Sequence, residues 1–200
     1  RSDVRAQNIS FLPEVNVFTR IGTTEAYNYT RDASAVDAVK AALMERGAVD
    51  AAYYTHYQGD KSTYYWNCEE SAYYCAYEYD QYETATQVSN HEVSIVGWDD
   101  TFEKEKFPTT ISLPFGDYQY QEPPAGDGAW IVKNSWADDW GDGGYFYLSY
   151  YDTTLCDFTS YEAEDATYAA GSADHAYDGI YQYDGAGMGD GWWHSDTPMR

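Results

Sequence analysis

His91 and Asn134 are the two side chains in this sequence whose surroundings suit acid–base chemistry. Asn90-His91-Glu92-Val93-Ser94-Ile95-Val96-Gly97-Trp98 sets a histidine at the mouth of an apolar, strand-like run. Trp130-Ile131-Val132-Lys133-Asn134-Ser135-Trp136 sets an asparagine and a tryptophan at the end of another. Of the histidines His56, His91, His175 and His194, only His91 opens a run of this kind. A thiol is a poor nucleophile until ionised, and a neighbouring imidazole can hold its proton in a thiolate–imidazolium pair, lowering the cysteine pKa to ~3–4 in the best case. The imidazole must keep one nitrogen on the sulfur, so its other nitrogen needs an acceptor that fixes the ring. An asparagine oxygen does this without adding a full charge, and an indole beside it keeps water off the bond. Asn134 and Trp136 supply both parts. Singly, each residue has an ordinary structural use, since asparagine forms turns and tryptophan fills cores. Only the combination points to chemistry.

The elements that must position these residues are mostly strands. Residues 1 to 31 are polar and aromatic with short apolar runs, and read as loops with one or two short strands. One clear helix follows. Asp32 or Ser34 can cap it, Val36, Val39 and Leu43 fall at helical spacing, and Gly47 ends it. Ala48 to Tyr54 reads as a strand. Residues 56 to 88, rich in Tyr, Glu and Gln, read as a long irregular segment on the surface or a cleft rim. Val93 to Trp98, Ala129 to Lys133 and Tyr145 to Tyr150 read as strands, with residues 99 to 127 inserted between the first two. Trp140-Gly141-Asp142-Gly143-Gly144 makes a glycine-dense turn. These separations suggest an antiparallel sheet curling toward a barrel, with the helix packed beside it. Beyond about residue 157, Ala, Gly, Asp and Tyr dominate. Tyr177 to Asp184 could be a short strand, and residues 185 to 191 a glycine-rich linker.

Composition narrows the function classes. A formal charge of −23 with 11 Lys and Arg repels phosphate backbones, which argues against nucleic acid as a partner. Such acidity fits solubility in a secreted, surface or salt-adapted protein, and the 23 tyrosines suit extracellular surfaces and binding clefts. No apolar run approaches the ~20 residues of a membrane span. Arg1 is not a natural start, so earlier residues are expected before it. Cys68, Cys75 and Cys156 form no C-x-x-C and no zinc-spaced cluster with histidine. No metal site and no cofactor are expected.

The two motifs resemble those of the papain-like cysteine peptidases. That family has Asn/Asp-His-Ala-Val before an apolar strand ending in Val-Gly-Tyr/Trp, matched by Asn90 to Trp98 with Glu92 replacing the usual small residue. It then has Lys-Asn-Ser-Trp-Gly, Trp-Gly and Gly-Tyr before a strand. Lys133-Asn134-Ser135-Trp136-Ala137, Trp140-Gly141 and Gly144-Tyr145 match, with Ala137 replacing a common glycine. The resemblance covers roughly residues 32 to 160. It implies an α+β fold: the C-terminal, antiparallel, β-barrel-like half of a papain-like domain with one packed helix. It implies that His91 is the general base, Asn134 its orienting residue, Trp136 the shielding indole and Trp140 a support, acting on a peptide or protein substrate. The long insertion and Tyr145 to Asp152 look most like bacterial exported members, which often carry a lectin-like domain after the peptidase. Residues 1–170 are then the His- and Asn-bearing part of the peptidase domain. Residues 171–200 are a linker and the start of a lectin-like domain, and the protein is extracellular or on the cell surface.

Nothing in the chain looks like that family's nucleophile segment. The family histidine lies ~130 residues after its cysteine, which places the cysteine roughly 40 residues before Arg1. Cys68 and Cys75 lack the upstream Gln and the downstream aromatic, and sit among carboxylates that oppose ionisation. The expectation is therefore a fragment that needs the N-terminal half of the same domain and is inactive alone. Cys156 resembles a late structural cysteine that pairs with Cys68 or Cys75; three buried or free thiols are the alternative. The competing function is a non-catalytic pseudo-peptidase, or an adhesion or carbohydrate-binding module on the same fold. Acyl transfer by the same residues is a further alternative.

Overall fold

The computed structural model describes residues 5–20, 27–55, 65–76, 89–112 and 118–164. Its order is β1 (Arg5–Phe11), β2 (Asn16–Arg20), β3 (Tyr27–Arg31), α1 (Ala33–Arg46), β4 (Val49–Tyr53), β5 (Trp66–Asn67), β6 (Ala72–Tyr73) and β7 (His91–Asp99). There follow a 3-10 turn at Lys104–Lys106, β8 (Thr110–Ser112), β9 (Tyr118–Tyr120), β10 (Ala129–Lys133), β11 (Tyr145–Ser149) and β12 (Cys156–Glu164). Eight strands form one sheet in the order β1-β12-β4-β7-β10-β11-β6-β5, and β2–β3 and β8–β9 are separate hairpins. All neighbours in the large sheet are antiparallel except β11 and β6. The fold is α+β as expected. The sheet does not close, because β1 and β5 remain as edges.

Helix α1 forms where the sequence signals it. Asp32 is the cap: its Oδ1 accepts the Ser34 N–H at 2.9 Å and the Ala35 N–H at 3.4 Å, and these bonds hold its carboxyl below the usual range. Gly47, at φ +100°, ends the helix with its N–H on Leu43 O. Ala35, Val36, Val39, Ala42 and Leu43 are buried, and the helix packs on β12, β7 and β4. In β4, buried Val49, Ala51 and Tyr53 alternate with half-buried Asp50 and Ala52. The register Val49–Ile95, Ala51–Val93, Tyr53–His91 then sets His91 on the core face, at the end of a row of apolar pairs.

One segment and one strand differ from the sequence reading. Residues 65–76 are only partly on the surface: Cys68, Glu69 and Glu70 are exposed, but Tyr65, Ala72, Tyr73, Tyr74 and Cys75 are buried. Within the insertion between β7 and β10, Phe102 and Phe107 join Ala72, Tyr74 and Ala129 in a second apolar cluster. The nine-residue strand β12, which lies between β1 and β4, falls where the reading saw only a shift in composition. Tyr177–Asp184 and residues 171–200 lie outside the described residues, as do His56, His175 and His194.

The corner between β11 and β12 is pinned by Asp152, which is fully buried. Its Oδ1 accepts the Thr154 N–H at 2.8 Å and the Thr154 hydroxyl at 2.6 Å, and its Oδ2 accepts the Cys75 N–H at 2.9 Å. Thr154 Oγ1 in turn accepts the Tyr54 N–H at 3.0 Å, so one carboxyl ties residue 75 to the end of β4. Burial outweighs these bonds and raises the Asp152 pKa to about 6. Because this lies above the unfolded value, the folded state binds the proton more readily, and the carboxyl's contribution to stability is lost as pH rises through about 6. The wild type is therefore expected to gain stability relative to Asp152→Asn as pH falls through about 6, read from urea midpoints. Parallel pH profiles for the two proteins would contradict this.

The turn from Asn134 to Tyr145 needs left-handed backbone at several points. Gly141, Gly143 and Gly144 have φ of +60°, +61° and +84°, and Ala137 has φ +72°. A Cβ on Gly144 would meet Lys133 Nζ and Ala137 O. The position where the resembling family carries glycine thus keeps a glycine-like conformation with an alanine in it. An L-residue there costs roughly 1–2 kcal/mol, part of which glycine gives back through its freer unfolded chain. Ala137→Gly is expected to raise unfolding free energy by about 1 kcal/mol and Gly144→Ala to lower it by more, measured by urea denaturation. An unchanged or lower midpoint for Ala137→Gly would count against the strain.

Candidate active site

His91 is held by the residue before it. The Asn90 N–H donates to Tyr53 O at 3.1 Å, its Oδ1 accepts the Thr55 N–H and its Nδ2 donates to Thr55 O, both at 2.8 Å. Three bonds therefore fix the start of β7 to the end of β4. On the other side β7 pairs with β10, with a bulge where Gly97 faces Ile131 and Ile95 faces Val132. Val96, the extra residue, is 43% exposed. Since side chains alternate, one inserted residue decides which face every later pair uses. β10 ends at Lys133, and Asn134 turns off the sheet with its N–H on Gly144 O at 3.0 Å.

The two predicted residues meet. His91 Nε2 lies 2.9 Å from Asn134 Oδ1, although they are 43 residues apart in the chain. Asn134 is 3% exposed, and its Oδ1 also accepts the Ser135 N–H at 2.8 Å. A donor already on that atom identifies it as the oxygen, so His91 Nε2 must carry the proton. In the neutral ring Nδ1 then keeps its lone pair, and it has no hydrogen-bond partner among the described residues. Burial holds the His91 pKa below the usual histidine value, and the Asn134 bond partly offsets this. The arrangement is a neutral imidazole with one nitrogen fixed and the other ready to accept a proton.

Aromatic rings surround it. Trp136 lies 5.0 Å from His91 at 32°, and Trp140 meets Trp136 edge-on at 4.9 Å. Trp140 also stacks on Trp66 at 4.6 Å and contacts Phe146 at 5.3 Å. Tyr53 reaches His91 from β4, centroid to centroid 5.7 Å. Sequence reasoning found Trp136 and Trp140 but not Trp66 or Tyr53. Tyr53 carried a signal in its position at the end of a strand that had to pair with β7. Trp66 carried none, because it lies in a two-residue strand within an irregular segment.

The cysteines do not join this site. Cys68, Cys75 and Cys156 are free thiols in this structure, the alternative to a pairing of Cys156 with Cys68 or Cys75. Cys68 is exposed in the turn after β5, across the sheet from β12. Cys75 is buried with its backbone fixed by Asp152 and Thr153, and the Cys156 thiol turns to Asp157 Oδ2 at 3.6 Å. Burial pushes the Cys156 pKa up to about 12, the opposite of an activated thiol. Among the described residues no group of three or more His, Cys, Asp or Glu could hold a metal ion. No described helix is long and apolar enough to cross a membrane.

Known proteins share parts of this sequence. Among solved structures, the cysteine protease and lectin-like domains of Cwp84, a surface layer associated protein of Clostridium difficile, share 32% identity with it. That match covers 64% of this chain and 24% of that one, with a TM-score of 0.46. A clostridial Cwp84 cysteine protease after propeptide cleavage shares 28% identity over 76% of this chain and 29% of that one, with a TM-score of 0.45. The SERA5 proenzyme of Plasmodium falciparum shares 15% over 76% and 36%, with a TM-score of 0.35. The chain thus spans less than a third of either Cwp84 chain. No curated protein sequence matches it. The profile described as papain family cysteine protease matches residues 16–165, a span that takes in the helix, the sheet and both motifs. The chain belongs to the papain family of cysteine proteases.

Proposed function

We propose that this chain supplies the base and its orienting amide to a thiol-dependent endopeptidase. The observation that carries this reading is the His91 Nε2 bond to an Asn134 oxygen whose identity Ser135 fixes. His91 Nδ1 takes the thiol proton, and the thiolate attacks the carbonyl carbon of the scissile peptide. The imidazolium then gives its proton to the leaving amine as the C–N bond breaks, leaving a thioester. Water, losing a proton to His91, attacks the thioester and releases the acid and the thiol. Asn134 keeps the ring in one tautomer throughout, and Trp136 and Trp140 keep water from the bond that does so.

The nucleophile is assigned to a segment of the same peptidase domain that precedes Arg1. His91's partners among the described residues are Asn134, Tyr53 and Trp136, none of them a thiol. Without that segment the chain is inactive. Peptide or protein substrates, an extracellular or cell-surface setting and a lectin-like domain starting in residues 171–200 belong to this same reading. The Cwp84 comparison supports the setting only by its description as a surface layer associated protein.

In the full-length protein, His91→Ala is expected to abolish labelling by a thiol-directed active-site inhibitor. Asn134→Ala is expected to slow turnover by a smaller factor, roughly tenfold to a hundredfold. Retained labelling after His91→Ala would remove the base assignment. A full-length protein that takes no label at all would move the function to a non-catalytic binding module.

A further inference from the structure

We propose that Tyr53 is a positioning residue of this site, its buried ring holding the His91 imidazole in the plane that keeps Nε2 on Asn134. The inference rests on the reading of His91 as the base and adds a residue to it. Tyr53 is fully buried and faces His91 directly in the β4–β7 register. Its ring meets the imidazole at 66°, the edge-to-face arrangement aromatic pairs prefer. It is itself fixed from behind, by Tyr73 at 5.1 Å and 77° and by Phe146 at 5.8 Å and 39°. Tyr73 is locked in turn by its hydroxyl donating to Tyr54 O at 2.6 Å.

A single hydrogen bond to Asn134 leaves the imidazole free to tilt about that bond. Restricting the tilt takes a second contact off that axis, and the described aromatic rings that meet the imidazole are those of Tyr53 and Trp136. Trp136 sits on the loop after β10 and is half-buried; Tyr53 sits inside the sheet. No charged side chain among the described residues acts on His91: burial and the Asn134 bond are the influences on its proton. The groups packed there from β4, β6 and β11 are Tyr53, Tyr73 and Phe146. Burial holds both phenols protonated, so the wall around the imidazole stays neutral across the working range.

The test is 15N NMR of the His91 imidazole across pH in the full-length protein with its thiols alkylated. The wild type and Tyr53→Phe are expected to show a neutral ring wholly in the Nε2–H form, with a midpoint below the ordinary histidine value. Tyr53→Met, which fills similar space without a ring, is expected to raise the midpoint by more than about half a pH unit and to populate the Nδ1–H form. In the active enzyme the same variant should lower kcat by roughly tenfold with KM within about twofold. Phe158→Leu, a buried change away from His91, should leave the imidazole signals as in the wild type. Wild-type signals in Tyr53→Met, or an equal shift in Phe158→Leu, would overturn the proposal. Should Tyr53→Met not fold, the unaltered protein decides: nuclear Overhauser contacts between the Tyr53 ring and His91 ring protons are expected, and their absence overturns it. Failure of the peptidase reading shows separately, as retained labelling in His91→Ala with the imidazole signals of Tyr53→Met still displaced.

Discussion

The bond from His91 Nε2 to Asn134 Oδ1 is the interaction the rest of this structure serves. It joins the first residue of one strand to the residue just past the end of another. Its geometry depends on the pairing between those strands being right to a single residue. The bulge at Val96 makes that so, because without the extra residue the pairs beyond it would present opposite faces. The β4–β7 register adds the other half of the frame: Asn90 is clasped by Thr55, and His91 becomes the last member of a core-facing row. The sheet thus acts as a ruler that brings two distant residues to within one hydrogen bond.

Electrostatics in this region are governed by desolvation more than by charge. The chain carries a formal charge of −23, yet what acts on the His91 proton is burial and, against it, the Asn134 bond. A carboxylate partner would favour the charged imidazole and raise its pKa. An amide oxygen orients the ring without adding a charge beside it. Asp152 shows the other use of burial, as an acceptor hub that fastens a corner of the sheet.

The residues of the candidate site were more legible in the sequence than the frame around them. His91, Asn134, Trp136 and Trp140 could be picked out because each lies in a contiguous motif beside a strong strand signal. Helix α1 was readable to within a residue, since Asp32 and Gly47 mark its ends by their own side-chain chemistry and backbone freedom. Strand β12 was not, because Cys156–Glu164 mixes carboxylates with aromatics and shows no clean alternation; its neighbours β1 and β4 define it. The buried tyrosines of residues 65–76 misled for a related reason. Tyrosine reads as surface or core depending on what packs against it, and Tyr73 and Tyr65 are buried by partners from distant strands. Spacing along the chain left the state of the cysteines open, because it says nothing about which edge of a sheet each one reaches.

The central claim, that His91 held by Asn134 activates a thiol, is tested most directly by the pH dependence of iodoacetamide alkylation of the full-length protein. An imidazole-paired thiol is expected to react at pH 6 at a rate within a few-fold of that at pH 8, because its ionisation lies far below the ~8.5 of a free cysteine. A rate that falls about tenfold per pH unit below ~8.5, as for an isolated thiol, would contradict the account.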